Sequence, residues 1–318
     1  MANKERGARW WNNSLSALNG VLGDYLVNRG NELALPMSFY QDGKPLSLDR
    51  DLEEQLGRPL TDRVCVLVHG LCCHEGFWDF DRDGGSTSYG KMFSRDLGFT
   101  PFYVRYNTGL PILGNGERLA VLLDELFRVY PQPCREVLLL GHSMGGLVFR
   151  EACRVGLKRS MAWVRQVSNC VCLGSPLKGA PLEKLGSVSA KIMDLAGHPL
   201  THVVRDLINI RSQGIKDLCH GEDGSPKPET GAFLPEAGHF AVAGTLTQNP
   251  AHPVTLILGD SMVRIPSATA RDSSGSAPAT ENVRVFPGVG HMALMHNMEV
   301  YQQIVSWIRP APGLLEAG

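Results

Sequence analysis

The chain has 318 residues, 43% of them hydrophobic and 20% charged, with 31 basic side chains against 32 acidic ones. That length permits a large core, and the near-zero net charge removes any bulk electrostatic case for nucleic acid or an anionic membrane as partner. No apolar run approaches the roughly 20 residues of a membrane-spanning helix. Lys4, Arg6 and Arg9 lead into Asn12, Asn13 and Ser14 rather than into the apolar stretch of a signal peptide, so a cytoplasmic chain is expected. Eight cysteines, at 65, 72, 73, 134, 153, 170, 172 and 219, show no C-x-x-C pair with matching ligands. They read as free thiols of a reducing compartment, and no metal site is expected.

Taken in order, Trp11, Leu15, Leu18, Leu22, Tyr25 and Leu26 recur at helical spacing and predict an amphipathic helix over 10–28, stopped by Gly30. Its apolar face is expected to pack on the body of the domain. The paired Trp10 and Trp11 leave peripheral membrane contact as the less favoured alternative. Residues 34–41 and 44–48 read as a hairpin through Asp42-Gly43, completing an N-terminal unit of residues 1–60. Residues 63–69 form a near-continuous apolar strand, as in a sheet covered on both faces. It ends in His69-Gly70-Leu71, with His69 expected to be structural. A strand at Phe102–Tyr106 and a helix over 115–130, with Asn115 as N-cap, follow. Val137–Leu140 reads as a buried strand, with a helical pattern from Gly146 onward. Residues 167–173 are a further strand, ending in Gly174-Ser175-Pro176.

Strands alternating with helices at these lengths imply parallel βαβ units. The alternation breaks over 176–238, where helical patterns at Val188–Leu195 and His202–Ile210 and a polar loop, 221–231, predict a cap or lid. The sheet resumes at His239–Thr245. A second apolar run, Val254–Leu258, leads into Gly259-Asp260, and residues 271–280 are a flexible connection. Val283–Phe286 is the last strand, running into Gly288-Val289-Gly290-His291. A helix over Val300–Ile308 closes the domain, and 311–318 is a tail. The core is thus expected to comprise 61–175 and 239–310.

Between strand and helix stands Gly141-His142-Ser143-Met144-Gly145, a G-x-S-x-G in the strand–turn–helix context that raises a serine hydroxyl above the end of a sheet. Such a hydroxyl is a weak nucleophile at neutral pH and needs a base, which in turn needs an orienting acid. His291, in a glycine-rich turn after the last strand, is the expected base. His296 is its rival, but it falls where the final helix begins. Asp260, directly after an apolar run, is the expected acid, and Asp272 is the rival in the flexible segment. His74, His142 and His239 are expected to be structural or surface residues.

The segments L-V-H-G-L, G-H-S-M-G-G, L-G-S-P-L-K-G-A-P, G-D-S-M-V and G-V-G-H resemble the α/β-hydrolase superfamily over about residues 63–308. The resemblance is closest to its bacterial lipase and esterase branch, related to triacylglycerol lipases and inositol-deacylase-like proteins. It implies a mostly parallel sheet covered by helices on both faces, with a helical cap insertion. It implies a serine carboxylic-ester hydrolase that needs neither metal nor organic cofactor. Ser143, Asp260 and His291 carry over as the triad, and the N–H groups of Leu71 and Met144 as oxyanion-hole donors. The acid loop departs from the usual pattern, with Ser261-Met262 where Gly-Leu is common. The N-terminal 60 residues lie outside the shared core.

Apolar Leu71, the neighbouring Phe77 and Trp78, and the apolar helical face of the insertion point to an apolar acyl pocket. The expected substrate is therefore a small-molecule or lipid-like ester, polyesters included, with kcat/KM rising with acyl length until the pocket ends. An acyltransferase, thioesterase or amidase would use the same residues, and a non-catalytic ligand-binding module would use the same fold. The oligomeric state is not encoded in any motif.

Overall fold

Apolar runs and helical patterns assemble into an eight-stranded sheet in the computed structural model, which describes residues 2–177, 234–248 and 282–309. The strands are β1 (Ser38–Gln41), β2 (Lys44–Pro45), β3 (Arg63–Val68), β6 (Thr100–Arg105), β7 (Glu136–His142), β8 (Val167–Leu173), β9 (Gly238–Gly244) and β10 (Val283–Phe286), while β4 (Phe80–Arg82) and β5 (Gly85–Thr87) form a separate small hairpin. Across the sheet the order is β10-β9-β8-β7-β3-β6-β1-β2. The six strands from β10 to β6 run parallel, and β1 and β2 add antiparallel at one edge through the expected Asp42-Gly43 turn. Both turn residues have positive φ, 47° and 76°, as a tight hairpin of this twist requires. Most of the predicted cap (178–233), the run 254–258, Asp260, the connection 271–280 and the tail lie outside the described residues.

Six helices flank or extend the sheet among the described residues: α1 (Ala2–Asn28), α2 (Leu52–Leu56), α3 (Tyr89–Leu97), α4 (Ile112–Val129), α5 (Met144–Lys158) and α6 (Met298–Ile308). The central strands show why their apolar runs are continuous. Val64, Val66 and Val68 of β3, with Val137 and Leu139 of β7, face one hydrophobic cluster shared with α4 and α5. Cys65 and Leu67, with Leu138 and Leu140, face the opposite cluster, which α3 and α6 close. Alternate side chains enter opposite layers, so neither register carries polar residues.

Two expectations need correction. The helix predicted at 115–130 begins earlier, at Ile112 with Pro111 as N-cap, whose fixed φ suits entry into a helix. Asn115 lies inside it, buried, and its Nδ2 donates to the carbonyls of Asn107 (3.0 Å) and Leu110 (3.3 Å). The N-terminal helix starts at Ala2 and docks by a face that coincides only in part with the one its apolar periodicity selects, sharing Leu22 and Leu26 with it. Ser16, Ala17, Asn19, Gly20, Val21 and Leu26 are buried, whereas Trp11 and Tyr25 are each 52% exposed. The reason is steric. The α1 backbone lies directly on the Cys72 side chain at Gly20 and on the Asn107 side chain at Gly23, an approach that larger side chains would prevent.

Candidate active site

Ser143 has φ 53° and ψ −124°, a left-handed conformation foreign to a residue with a Cβ, at the junction of β7 and α5. Its neighbours dictate this geometry. A Cβ on Gly141 would run into the backbone of Gly145 and Gly146, and one on Gly145 would strike the carbonyls of Val68 and His69 at the end of β3. The first turn of α5 therefore lies against the β3 terminus. The Ser143 N–H donates to the Leu173 carbonyl at the end of β8 (2.8 Å), which fixes the elbow between two parallel strands.

The step after β3 comes to the same place. A Cβ on Gly70 would lie 2.9 Å from the Ser143 Cβ and 3.2 Å from His142 Nδ1, so only glycine fits beside the nucleophile elbow. Leu71 follows, buried, and Cys72 turns the chain with φ 59°, its N–H donating to Thr108 Oγ1 (3.0 Å). Met144 is the first residue of α5, and N–H groups in a first helical turn have no intrahelical acceptor. The positive end of the helix dipole adds to their pull on an anion.

His291 is also buried at this end of the sheet. Its ring lies over Gly174, where a Cβ would stand 3.0 Å from both Cε1 and Nδ1. Gly174 takes φ 58° and directly follows Leu173, the residue that anchors Ser143. The His291 and His142 rings are 4.6 Å apart, and His142 Nε2 donates to the His291 carbonyl at 3.0 Å. Burial, reinforced by the neighbouring His291, pushes the His142 pKa well below its ordinary value, so His142 acts as a neutral donor. The turn is held from the other side by Tyr89, whose hydroxyl lies 2.9 Å from the Leu294 carbonyl and 2.6 Å from that of Asn297.

His296, the rival base, is committed elsewhere: its Nε2 donates to the Phe77 carbonyl at 2.7 Å. His69 is buried, stacks on Tyr106 with centroids 4.5 Å apart, and is pushed down to about 3 by burial, which keeps it neutral. His239 uses its ring nitrogen on the backbone of Leu234. Ser143, His291, Leu71 and Met144 therefore converge at one end of the sheet. Asp260 and Asp272 lie outside the described residues.

Trp78 does not fit the expected acyl pocket, because it is fully buried in the core beside Tyr89. A cavity of about 870 Å³ lies between the turn after Leu71 and the turn after His291, lined among others by Asn13, Glu75, Phe77, Phe80, Ala293 and His296. Ser143 is not among the residues that line it. Among the described residues no group of three or more His, Cys, Asp or Glu side chains could hold a metal ion. The seven cysteines among them are buried, and burial raises the thiol pKa of Cys65, Cys73 and Cys172.

The fold as a whole has counterparts among solved structures. A lipase of Bacillus licheniformis in its mature form aligns with 79% of this chain and 96% of its own, at 18% identity and a TM-score of 0.50. The chain folds as an α/β-hydrolase. An esterase of Pyrococcus furiosus (16% identity, 78% of this chain and 81% of that one, TM-score 0.46) and a lipase-esterase related protein of Clostridium acetobutylicum (13%, 78% and 95%, 0.44) are further neighbours. Residues 117–219 match the family model described as a PGAP1-like alpha/beta domain. No curated protein matches the sequence. No helix among the described residues is long and apolar enough to cross a membrane.

The contacts that hold the turns around the site were not visible to sequence reasoning. His142 was expected to be a structural or surface residue and His296 was the rival base, and the carbonyl contacts by which both pin turns beside Ser143 have no local signature. Tyr89 belongs to a helix that was not predicted, although Ser88 as N-cap and Gly98 at φ 71° mark both of its ends.

Proposed function

We propose that the chain is a serine hydrolase of carboxylic esters with apolar acyl groups, lipids and polyesters included. The observation that carries this reading is the strained backbone of Ser143 at a strand–helix elbow, with the His291 ring packed against the elbow's own residues. A serine held at such a cost beside a buried imidazole is an arrangement suited to acyl transfer.

In this mechanism His291 takes the proton of Ser143 Oγ as that oxygen attacks the ester carbonyl. The N–H groups of Leu71 and Met144 receive the developing oxyanion, each contributing about 3–4 kcal/mol in sites of this kind. His291 then hands the proton to the departing alcohol. Water repeats the sequence on the acyl-enzyme, with His291 again the base. Asp260 is assigned as the acid that holds the imidazole in one tautomer and stabilises its cation.

The test is hydrolysis of nitrophenyl esters of graded acyl length, together with labelling by a fluorophosphonate. Ser143→Ala and His291→Ala are expected to lose roughly 10³-fold or more in kcat, and Ser143→Ala should lose the label. Asp260→Asn should fall by about 10⁴-fold, with Asp272→Asn and His296→Ala retaining turnover. A labelled, active Ser143→Ala protein would remove the serine from the chemistry. Activity confined to thioesters, or seen only with an added alcohol acceptor, would move the reading to a thioesterase or acyltransferase.

A further inference from the structure

The chain after Leu71 makes a tight excursion before it reaches the small β4–β5 hairpin. Residues Glu75–Trp78 form a single 3₁₀ turn, with His74 as its N-cap. The His74 Nδ1 accepts the Gly76 N–H at 3.1 Å, so in this geometry the ring proton resides on Nε2. That nitrogen lies 2.8 Å from Asn13 Oδ1, on α1. One residue on, Glu75 is buried with Arg105, the two side chains each 6% exposed and joined at Nε–Oε2 2.6 Å and through a second contact between Nη2 and Oε1. Arg105 also donates to Asn12 Oδ1 at 3.1 Å and stacks over Tyr40. Beneath these contacts, Gly20 of α1 abuts Cys72, the residue that follows Leu71.

We infer that α1, which lies outside the part of the chain that resembles hydrolases, is a component of the active site: Asn13, supported by Asn12, is a positioning residue that fixes the turn from which the Leu71 N–H is presented. This rests on the ester-hydrolase reading for the role of Leu71. The physical argument is one of leverage. Cys72 has a left-handed backbone, and the turn is bonded through Cys72 N–H to Thr108, Cys73 N–H to the Gly70 carbonyl at 3.2 Å, and the Phe77 carbonyl to His296. Beyond these and the burial of Trp78 beside Tyr89, Glu75 is tied to Arg105 of β6, which also donates to Asn12, and His74 is tied to Asn13 on the same turn of α1. Asn13 accepts from Nε2 and so keeps Nδ1 free of a proton to cap Gly76. Without that acceptor, the cap and the aim of the turn loosen, and displacement of an oxyanion donor by about 1 Å can cost as much as 10²-fold in rate.

The experiment compares Asn13→Ala with Asn13→Asp, which retains an acceptor of equal reach, in the full chain. Truncation of α1 is avoided because its loss could unfold the protein. Asn13→Ala is expected to lower kcat by about 10-fold to 100-fold at nearly constant KM. It should weaken inhibition by an alkyl trifluoromethyl ketone, whose hemiketal oxyanion occupies the proposed hole, by the same factor. Asn13→Asp should restore both. Amide exchange over residues 72–78 should quicken in Asn13→Ala without a matching fall in Tm. Unchanged kcat and inhibitor affinity despite faster exchange would overturn the catalytic role. Unchanged exchange, or a loss seen only in Tm, would overturn the brace itself. If the wild-type protein showed neither ester turnover nor fluorophosphonate labelling, the hydrolase reading would fail, and the exchange comparison would still decide whether Asn13 fixes the turn.

Discussion

Ser143 carries a backbone conformation that costs a residue with a side chain on the order of 1–3 kcal/mol. The elbow tolerates it because Gly70, Gly141 and Gly145 leave no alternative path for the chain. Replacing the residue with glycine removes both the hydroxyl and the strain, whereas alanine removes only the hydroxyl. Ser143→Gly is therefore expected to be inactive yet more stable than Ser143→Ala by about 1 kcal/mol, read as a higher denaturation midpoint at constant slope. Equal midpoints would show that the elbow is not strained. At this scale the elbow at Ser143 was open to sequence reasoning because it is local, five residues between a strand and a helix. The contacts that orient its partners were not. Asn13 with His74, His296 with Phe77 and His142 with His291 join residues 61, 219 and 149 positions apart, and no periodicity or spacing reports such pairs.

Among the elements, the step from β3 into the turn at Leu71 is the most tightly specified. Gly70 has no room for a methyl group, since its Cβ would meet Ser143 at 2.9 Å and His142 at 3.2 Å. Gly57, by contrast, faces open space in the left-handed cap of α2. Gly70→Ala should push the turn away from Ser143 and lower kcat by roughly 10²-fold with a modest loss of stability. Gly57→Ala should cost stability alone, by about 1 kcal/mol. The check is kcat against Tm for the two variants, and a Gly70→Ala protein of normal turnover would show that the turn need not touch the elbow. The same steric logic explains why the docking face of α1 departs in part from its apolar stripe. Hydrophobic periodicity singles out the stripe through Trp11, Leu15, Leu18 and Leu22, but the docking is decided by closeness of approach at Gly20 and Gly23. The strands β3, β6, β7, β8, β9 and β10 were all anticipated within a few residues, because runs that must be apolar on both faces leave little ambiguity. The Asn115 cap was misplaced because Pro111, four residues earlier, starts the helix without a side-chain bond.

For the whole molecule, burial of neutral histidines sets the response to acid. His69 is held down to about 3 and His239 to about 4, each chiefly by desolvation, and His142 lies well below its ordinary value of 6.5. Below about pH 6.5 the unfolded chain takes up these protons and the folded chain does not, so stability falls as pH falls, by about 1.4 kcal/mol per pH unit per fully titrating group. Glu75 adds a second, lower window. Burial works to raise its pKa, but the Arg105 guanidinium, bonded to both carboxylate oxygens, outweighs it and holds the group at about 2. Its contribution is complete above its ordinary 4.5 and is lost as pH drops towards 2. Tm is expected to decline from pH 6.5 downward and more steeply below 4.5, and His239→Gln should flatten the upper limb between 6.5 and 4. A flat Tm across pH 4–6.5 would contradict the burial of these rings. The sheet order has a temporal consequence as well. The strand β3 pairs with β7 between Arg63 and Glu136, and β8 with β9 between Asn169 and Gly238, so the centre of the sheet cannot zip locally and must close long loops, which is intrinsically slow. During synthesis β3, β6, β7 and β8 are complete once residue 173 has emerged, and the elbow can form around Ser143. His291 emerges more than a hundred residues later. Under the proposed mechanism a nascent chain thus presents its serine long before its imidazole, and the order of translation keeps the site incomplete until the chain is nearly finished.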